Sequence, residues 1–319
     1  MNRWFHNRII LIGDAAHVFP PFGAQGMASG IRDAFGLSWR ISVLLHEVSG
    51  LSTQEKSYRH KLLLDSWARE RRSGVDNSSR RTEANGSLLL GKSKLAAAAI
   101  GIANGVLAWV PSLRERLIQK RESDSQGFGG VEGGFFIDGL AGLGDCDDEA
   151  GGGGGKTAQV YVKAAGKESL PMLSDRLFWR TRCSLTVLLL RQTSDHEVSE
   201  VRKAIEAADL RAPFLAGEIL ELVGTEANAL TFERPSSSTT LRITPAKAGD
   251  PSGPPLLENY DPCVFRKRFQ PGALCALVRP DFIIFSQAHT LAQLQQQLSI
   301  AAKVLLPGTV DSTSRNASV

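Results

Sequence analysis

The residues best suited to chemistry stand close together near the start of the chain. Gly13-Asp14-Ala15-Ala16-His17 is followed by Pro20-Pro21 and then by Gly23-Ala24-Gln25-Gly26-Met27-Ala28. An ionised Asp14 only accepts hydrogen bonds, which suits sugar or polyol hydroxyls. Ala15 and Ala16 leave room for close approach, and Pro20 and Pro21 fix φ and present carbonyls without donors, a stiff wall. Gly23 to Gly26 open a helix whose unpaired N–H groups and positive dipole end favour negative charge. The combination suits a ligand that carries both hydroxyls and phosphates.

These residues need a strand before them and a helix after. Asn7 to Ile12 is a short apolar run, expected to form a buried parallel strand ended by Gly13. Ligands of open α/β sheets lie beyond the carboxyl ends of strands, where Asp14 falls. Met27 to Val48 is expected as a helix, with Met27, Ile31, Phe35, Ile41 and Leu45 near helical spacing. Thr53 to Arg72 reads as a second helix, and Leu88 to Trp109 as an Ala-rich third with Pro111 just beyond.

The run Gly-Asp-Ala-Ala-His, Pro-Pro, Gly-Ala-Gln-Gly-Met, then Asp33-Ala34, Leu37 and Trp39, resembles the second flavin fingerprint of FAD-dependent aromatic hydroxylases. These are single-component flavoprotein monooxygenases of the para-hydroxybenzoate and phenol hydroxylase type. The resemblance is dense over residues 8–41 and weaker to about residue 85, through Tyr58 and Glu70-Arg71-Arg72. It implies FAD as cofactor, NAD(P)H as reductant, O2, and an aromatic or polyketide-like small molecule as substrate. By that likeness Asp14, next to Gly13, binds the flavin ribitol, and Pro20 and Pro21 line the isoalloxazine. The turn holding Gly23, Gln25, Gly26, Met27 and Ala28 meets the pyrimidine edge and the phosphates. A helix N-terminus there stabilises negative charge on a reduced flavin. Oxygen chemistry belongs to the cofactor, and the protein supplies placement and dryness.

Two positions depart from the family: Ala24 stands for Gly and Ala28 for Asn, the latter removing a side-chain contact to flavin. The Gly-x-Gly-x-x-Gly turn that grips the ADP half of FAD does not occur in its strand-turn-helix context. The chain is therefore expected to be the C-terminal part of such a hydroxylase, as a fragment or a gene model begun at an internal Met. The other reading is a non-catalytic remnant or interaction module that has lost flavin binding.

Other chemistries find little support. No residue takes a catalytic role by its spacing, and the six His residues show no metal-ligand pattern. His17 reads first as a structural hydrogen-bonding residue beside the turn. Cys146, Cys183, Cys263 and Cys275 form no C-x-x-C pair, which suits reduced thiols in a cytoplasmic compartment. Gly155-Lys156-Thr157 resembles the end of a P-loop, but Ala150 stands where that pattern needs Gly, no apolar strand leads in, and a strand rather than a helix follows. Arg69, Arg71, Arg72, Arg80 and Arg81 read as a solvated helix face, not a nucleic-acid patch. A net charge of +4 is mild, and 42% hydrophobic with 22% charged residues fits a soluble globular class. No apolar run is long enough to span a bilayer and no signal peptide precedes the first strand.

The expected fold class is α/β, a remnant of an FAD-binding Rossmann-type domain followed by a second α/β domain. Residues 1–122 form the first part, 123–156 a flexible glycine-rich and acidic linker, 157–306 the second domain, and 307–319 a tail. In the second domain, strands are expected at Ala158–Val162, Ser184–Leu190 and Glu218–Val223, and a helix at Glu197–Leu210. Leu274–Val278 and Phe282–Ser286 form a hairpin around Arg279-Pro280-Asp281, and Thr290–Leu305 a closing helix. This β-α-β, β-β-α order resembles the thioredoxin-like C-terminal domain of phenol hydroxylase relatives. Leu277-Val278-Arg279-Pro280-Asp281 resembles their "LVRPD" signature, with Phe282 in place of Gly. Lacking C-x-x-C, the domain has no dithiol chemistry, which leaves it packing or homodimerisation.

Overall fold

The computed structural model describes residues 3–19, 25–46, 48, 51–90, 102, 105, 109–110, 127–140, 152–164, 172–180, 185–191, 193–208, 210, 214–222, 240–245 and 264–306. Pro20, Pro21, Gly23, most of the expected third helix and the tail lie outside the described residues, as do Cys146, Cys183 and Cys263.

The chain opens with a hairpin. β1 (Phe5–His6) pairs antiparallel with β2 (Ile9–Ile10), Phe5 opposite Ile10 and His6 opposite Ile9. Asn7 at the tip has φ 51°, a left-handed conformation that Asn tolerates better than most residues. The expectation of one buried parallel strand over Asn7–Ile12 is thereby corrected. Asn7 and Arg8 act as a two-residue turn, and Ile9 is left 68% exposed.

Helix α1 (Gln25–Leu45) follows, and its orientation overturns the simple stripe. The residues it buries include Ser29, Asp33, Leu37, Trp39, Arg40 and Val43, whereas Met27, Ile31 and Leu45 are exposed. Two charges lie on the inner face because each meets a charged partner there. Helix α2 runs unbroken from Thr53 to Leu90, passing the expected end at Arg72. Ser52 and Glu55 start it with reciprocal side-chain to backbone bonds of 3.2 and 2.7 Å. Gly74 and Gly86 do not stop it, since a helical glycine costs only about 1 kcal/mol.

The second half is built on a seven-stranded mixed sheet. Its strands are β3 (Tyr161–Ala164), β4 (Met172–Leu173), β5 (Leu185–Leu189), β6 (Leu215–Leu222), β7 (Thr240–Pro245), β8 (Cys275–Val278) and β9 (Ile284–Ala288). They lie in the order β4-β3-β7-β6-β5-β8-β9. A short helix α3 (Asp175–Arg180) precedes β5, and α4 (Asp195–Ala207) links β5 to β6, which run parallel. β8 and β9 are antiparallel, and α5 (Leu291–Leu305) closes the unit. The β-α-β, β-β-α core is the expected thioredoxin-like order. Strand β7, which pairs with both β3 and β6, was not expected.

The glycine-rich stretch is packed where it is described, not free. Phe135, Phe136 and Ile137 are buried, and the Ile137 N–H donates to the Phe285 carbonyl at 2.9 Å. Gly154 N–H donates to Ile284 O, and Ile284 N–H donates back to Gly155 O, both at 2.8 Å. A Cβ on Gly153 would come within 2.6 Å of the Phe285 carbonyl oxygen. Where they are described, the glycines admit a second backbone against β9, a close approach that glycine permits. One core cluster accordingly runs from Trp39, Val43 and Leu63 of the first helices through Phe135 to Val187, Leu277, Phe285 and Leu298.

Candidate functional site

The flavin-like turn is held by one buried carboxylate. After Ile12 the chain makes a 3-10 turn over Gly13–Ala15, with Gly13 at φ 58°. Its backbone lies directly on α1: a Cβ on Gly30 would meet the Gly13 Cα at 3.3 Å. Asp33, fully buried on α1, accepts from the Gly13 N–H at 3.0 Å and pairs with His17 Nε2 at 2.7 Å. Its other oxygen accepts from Arg71 Nε at 2.7 Å, and its carbonyl from Trp67 Nε1 at 3.1 Å. Arg71 also reaches the Ser29 hydroxyl at 3.1 Å. The His17 ring is tilted on Trp4 at 5.3 Å and edge-on to Phe19 at 5.2 Å. His17 thus makes a hydrogen bond beside the turn through Nε2, while its buried Nδ1 has no hydrogen-bond partner among the described residues.

Asp14 itself is exposed, and among the described residues no side chain or backbone group bonds it. It is an open acceptor on a turn whose neighbours are pinned. Gly26, in the first turn of α1, has nothing within 4 Å of a would-be Cβ. Packing among the described residues gives no reason for glycine there, although glycine costs a helix about 0.5–1 kcal/mol against alanine. Close approach by a ligand would supply the reason. Met27 projects outward and Ala28 is half-buried. The described part of the predicted set, Gly13, Asp14, Gln25, Gly26, Met27 and Ala28, therefore flanks one end of α1.

A second buried polar cluster ties this region to the sheet. Arg279, in the β8–β9 turn, donates to both oxygens of Glu70 at 2.8 and 2.9 Å and to Asp281 Oδ1 at 2.9 Å. Arg40 donates to Glu70 at 2.8 Å and to the Gly36 carbonyl at 2.7 Å. Glu70 also accepts the Phe135 N–H at 2.7 Å, and Arg279 donates to the Phe135 carbonyl at 2.8 Å. Both guanidiniums lie by the Trp39 ring, at 4.4 and 5.2 Å. Burial on its own would raise the Glu70 pKa, but Arg279 and Arg40 hold it down at about 2. Burial likewise opposes the charge of Arg279, and Asp281 with Glu70 overcomes it, raising its pKa. Two cations and two carboxylates balance, as a buried cluster requires.

Sequence reasoning missed Asp33, Arg40, Glu70 and Arg71 as partners. The available signal was polar residues recurring at 29, 33 and 40 on the helix face that also carries Leu37. Cys275, by contrast, is a buried thiol whose pKa burial pushes up to about 12. Among the described residues no group of three or more His, Cys, Asp or Glu is placed to hold a metal.

Comparison with known proteins agrees with the local reading. Residues 1–73 match the FAD binding domain family. A probable NADH-specific resorcinol 4-hydroxylase of Rhodococcus jostii is 54% identical over 55 residues, 17% of this chain and 10% of that protein. A 3-(3-hydroxy-phenyl)propionate/3-hydroxycinnamic acid hydroxylase of Klebsiella pneumoniae is 41% identical over 66 residues, 21% of this chain and 10% of its own length. In fold, the chain is similar to the flavin-dependent monooxygenase PieE, solved with FAD and substrate, with a TM-score of 0.54 at 17% identity. That likeness covers 95% of this chain and 48% of PieE, so the chain spans about half the length of its structural relative. Residues 1–73 thus match the FAD binding domain family, within a chain whose fold is similar to about half of a flavin-dependent monooxygenase.

Proposed function

We propose that this chain is the C-terminal part of an FAD-dependent monooxygenase that hydroxylates an aromatic or polyketide-like small molecule with NAD(P)H and O2. The observation that carries the reading is the open Asp14 carboxylate on a turn pinned by Asp33. Asp14 would accept flavin ribitol hydroxyls. Gly13, Pro20, Pro21, Gly23 and the segment Gln25–Ala28 would border the rest of the cofactor. The N–H groups that open α1 are donors suited to negative charge there. FAD, when bound, supplies the redox and oxygen-transfer chemistry, and these residues bind and orient it. Residues 157–306 form a thioredoxin-like packing or dimerisation unit in this reading, and the protein works in the cytoplasm. No helix among the described residues is long and apolar enough to cross a membrane.

A second reading, a non-catalytic interaction module, draws on the exposure of Ile9, Val18, Met27 and Ile31 around the same turn. A flavin titration of the purified chain, followed by absorbance and fluorescence, separates the two. Saturable FAD binding that Asp14→Ala weakens supports the first reading. Absence of any flavin binding, both by the chain alone and by the chain joined to an ADP-binding half of a related hydroxylase, supports the second.

A further inference from the structure

The two edges of the seven-stranded sheet end differently. At one stands β4, only two residues long and so a poor template for a further strand. At the other stands β9, five residues that are all buried. The outward backbone groups of β9 and of the turn before it are taken by the glycine stretch. Gly154 N–H donates to Ile284 O and Ile284 N–H donates back to Gly155 O, both at 2.8 Å, and Thr157 N–H donates to the Phe282 carbonyl at 2.9 Å. Lys156 bridges Ile283 in antiparallel register. The Gln287 side chain holds the start of this strap, donating to the Gly152 carbonyl at 2.6 Å, and Gly153 N–H donates to Asp138 at 3.0 Å. On the outer side Phe128 N–H donates to the Gly154 carbonyl at 2.6 Å and Gly127 bridges Gly155. Beyond β9 the backbone pairing therefore passes into glycine, and Gly127, Gly129 and Gly130 meet water. Only glycine fits the strap. Gly152 and Gly154 have φ of 52° and 83°, and a Cβ on Gly154 would lie 2.9 Å from the Gly129 Cα. A strand without side chains pairs weakly with any newcomer.

We propose that residues 152–157 are an autoinhibitory strap, which occupies the pairing edge of β9 and keeps a second copy of this chain from adding its own β9 there. An apolar edge strand of this length, left bare, presents a row of backbone donors and acceptors to another chain. Two such edges meeting antiparallel would form a two-fold, self-complementary contact. With the strap in place, self-association of the second half must use another face. The strap acts on the sheet edge alone, independently of flavin binding, and is measurable without it.

The test compares the full chain with two strap variants, Gly153→Val and Gly154→Ala. Gly129→Ala is the control, since a Cβ there meets nothing within 4 Å. Sedimentation velocity over a concentration series reads self-association, and hydrogen exchange reads the Ile284 amide. Both strap variants should associate at a concentration at least about tenfold lower than the natural chain. In dilute solution their Ile284 amide should exchange at least about tenfold faster, and it should slow again as the copies pair. Gly129→Ala should match the natural chain in both measurements. Folded strap variants that associate no more than the natural chain overturn the proposal, whether or not their Ile284 amide is opened. Association that leaves the Ile284 amide fast places the contact elsewhere and overturns it too. So does loss of the fold in both variants, judged by circular dichroism, because a segment the fold cannot lose is core and not a cover.

Discussion

Glu70 of α2 and Arg279 of the β8–β9 turn lie 209 positions apart in sequence and meet through two parallel hydrogen bonds of 2.8 and 2.9 Å. The pair is fully buried, and Arg40 and Asp281 complete it. It joins the helices that follow the flavin-like turn to the sheet of the second half. The "LVRPD" stretch thus supplies a fixed guanidinium for this pairing.

Removing Glu70 should therefore be costly. Glu70→Ala leaves Arg40 and Arg279 buried against the one carboxylate of Asp281 and should destabilise the fold by about 3–5 kcal/mol. Equilibrium unfolding in urea checks this. A loss below about 1 kcal/mol would place the pair among ornamental surface bridges.

The same pair sets an acid limit. The Glu70 pKa is lowered in the folded chain, from 4.5 to about 2. Its contribution is complete above about pH 4.5 and is lost as pH falls toward 2, amounting to on the order of 3 kcal/mol. Unfolding free energies measured at pH 6 and pH 3 should fall more steeply for the natural chain than for Glu70→Gln. Parallel losses in the two proteins would contradict the assignment.

Much of the second half was legible in the sequence. The Leu-rich, β-branched run around Leu185–Leu189, the capped helix at Thr290, and the hairpin around Pro280 all arise from local patterns that tertiary packing reinforces. The polar clusters were not legible, because burial of Asp33 or Glu70 depends on partners 38 and 209 positions away. The glycine run was ambiguous for a related reason. Glycine marks both free chain and tight backbone contact, and only the partner strand β9 decides between them. Strand β7 carried a readable signal, β-branched Thr and Ile in Thr240-Leu241-Arg242-Ile243-Thr244, that the surrounding proline-rich composition obscured.

Phe282, which stands where the "LVRPD" resemblance calls for Gly, adopts a left-handed conformation that favours glycine, with φ 67°. Its ring compensates by packing on Phe35 of α1 at 5.3 Å and near Phe178 of α3 at 6.4 Å. Phe282→Gly relieves about 1 kcal/mol of backbone strain. It forfeits about 2–3 kcal/mol of ring burial. A net loss of about 1–2 kcal/mol is expected from thermal unfolding, and a stabilised variant would show that the ring contributes little.

Asp33 and Asp14 should separate by what they report. Asp33→Asn keeps the shape but leaves the buried Arg71 guanidinium without its carboxylate, so it should lower unfolding free energy by about 2–4 kcal/mol. Any effect on flavin would follow from loosening of the Gly13 turn. Asp14→Ala changes an exposed side chain with no partner among the described residues, and should leave stability within about 0.5 kcal/mol. In a flavin-binding form of the chain it should nonetheless weaken FAD by about 1–3 kcal/mol, because ribitol hydroxyls lose their acceptor. Parallel urea unfolding and FAD titrations on both variants check the separation. Unchanged FAD affinity in Asp14→Ala would remove Asp14 from the cofactor site, whatever Asp33→Asn does to the fold.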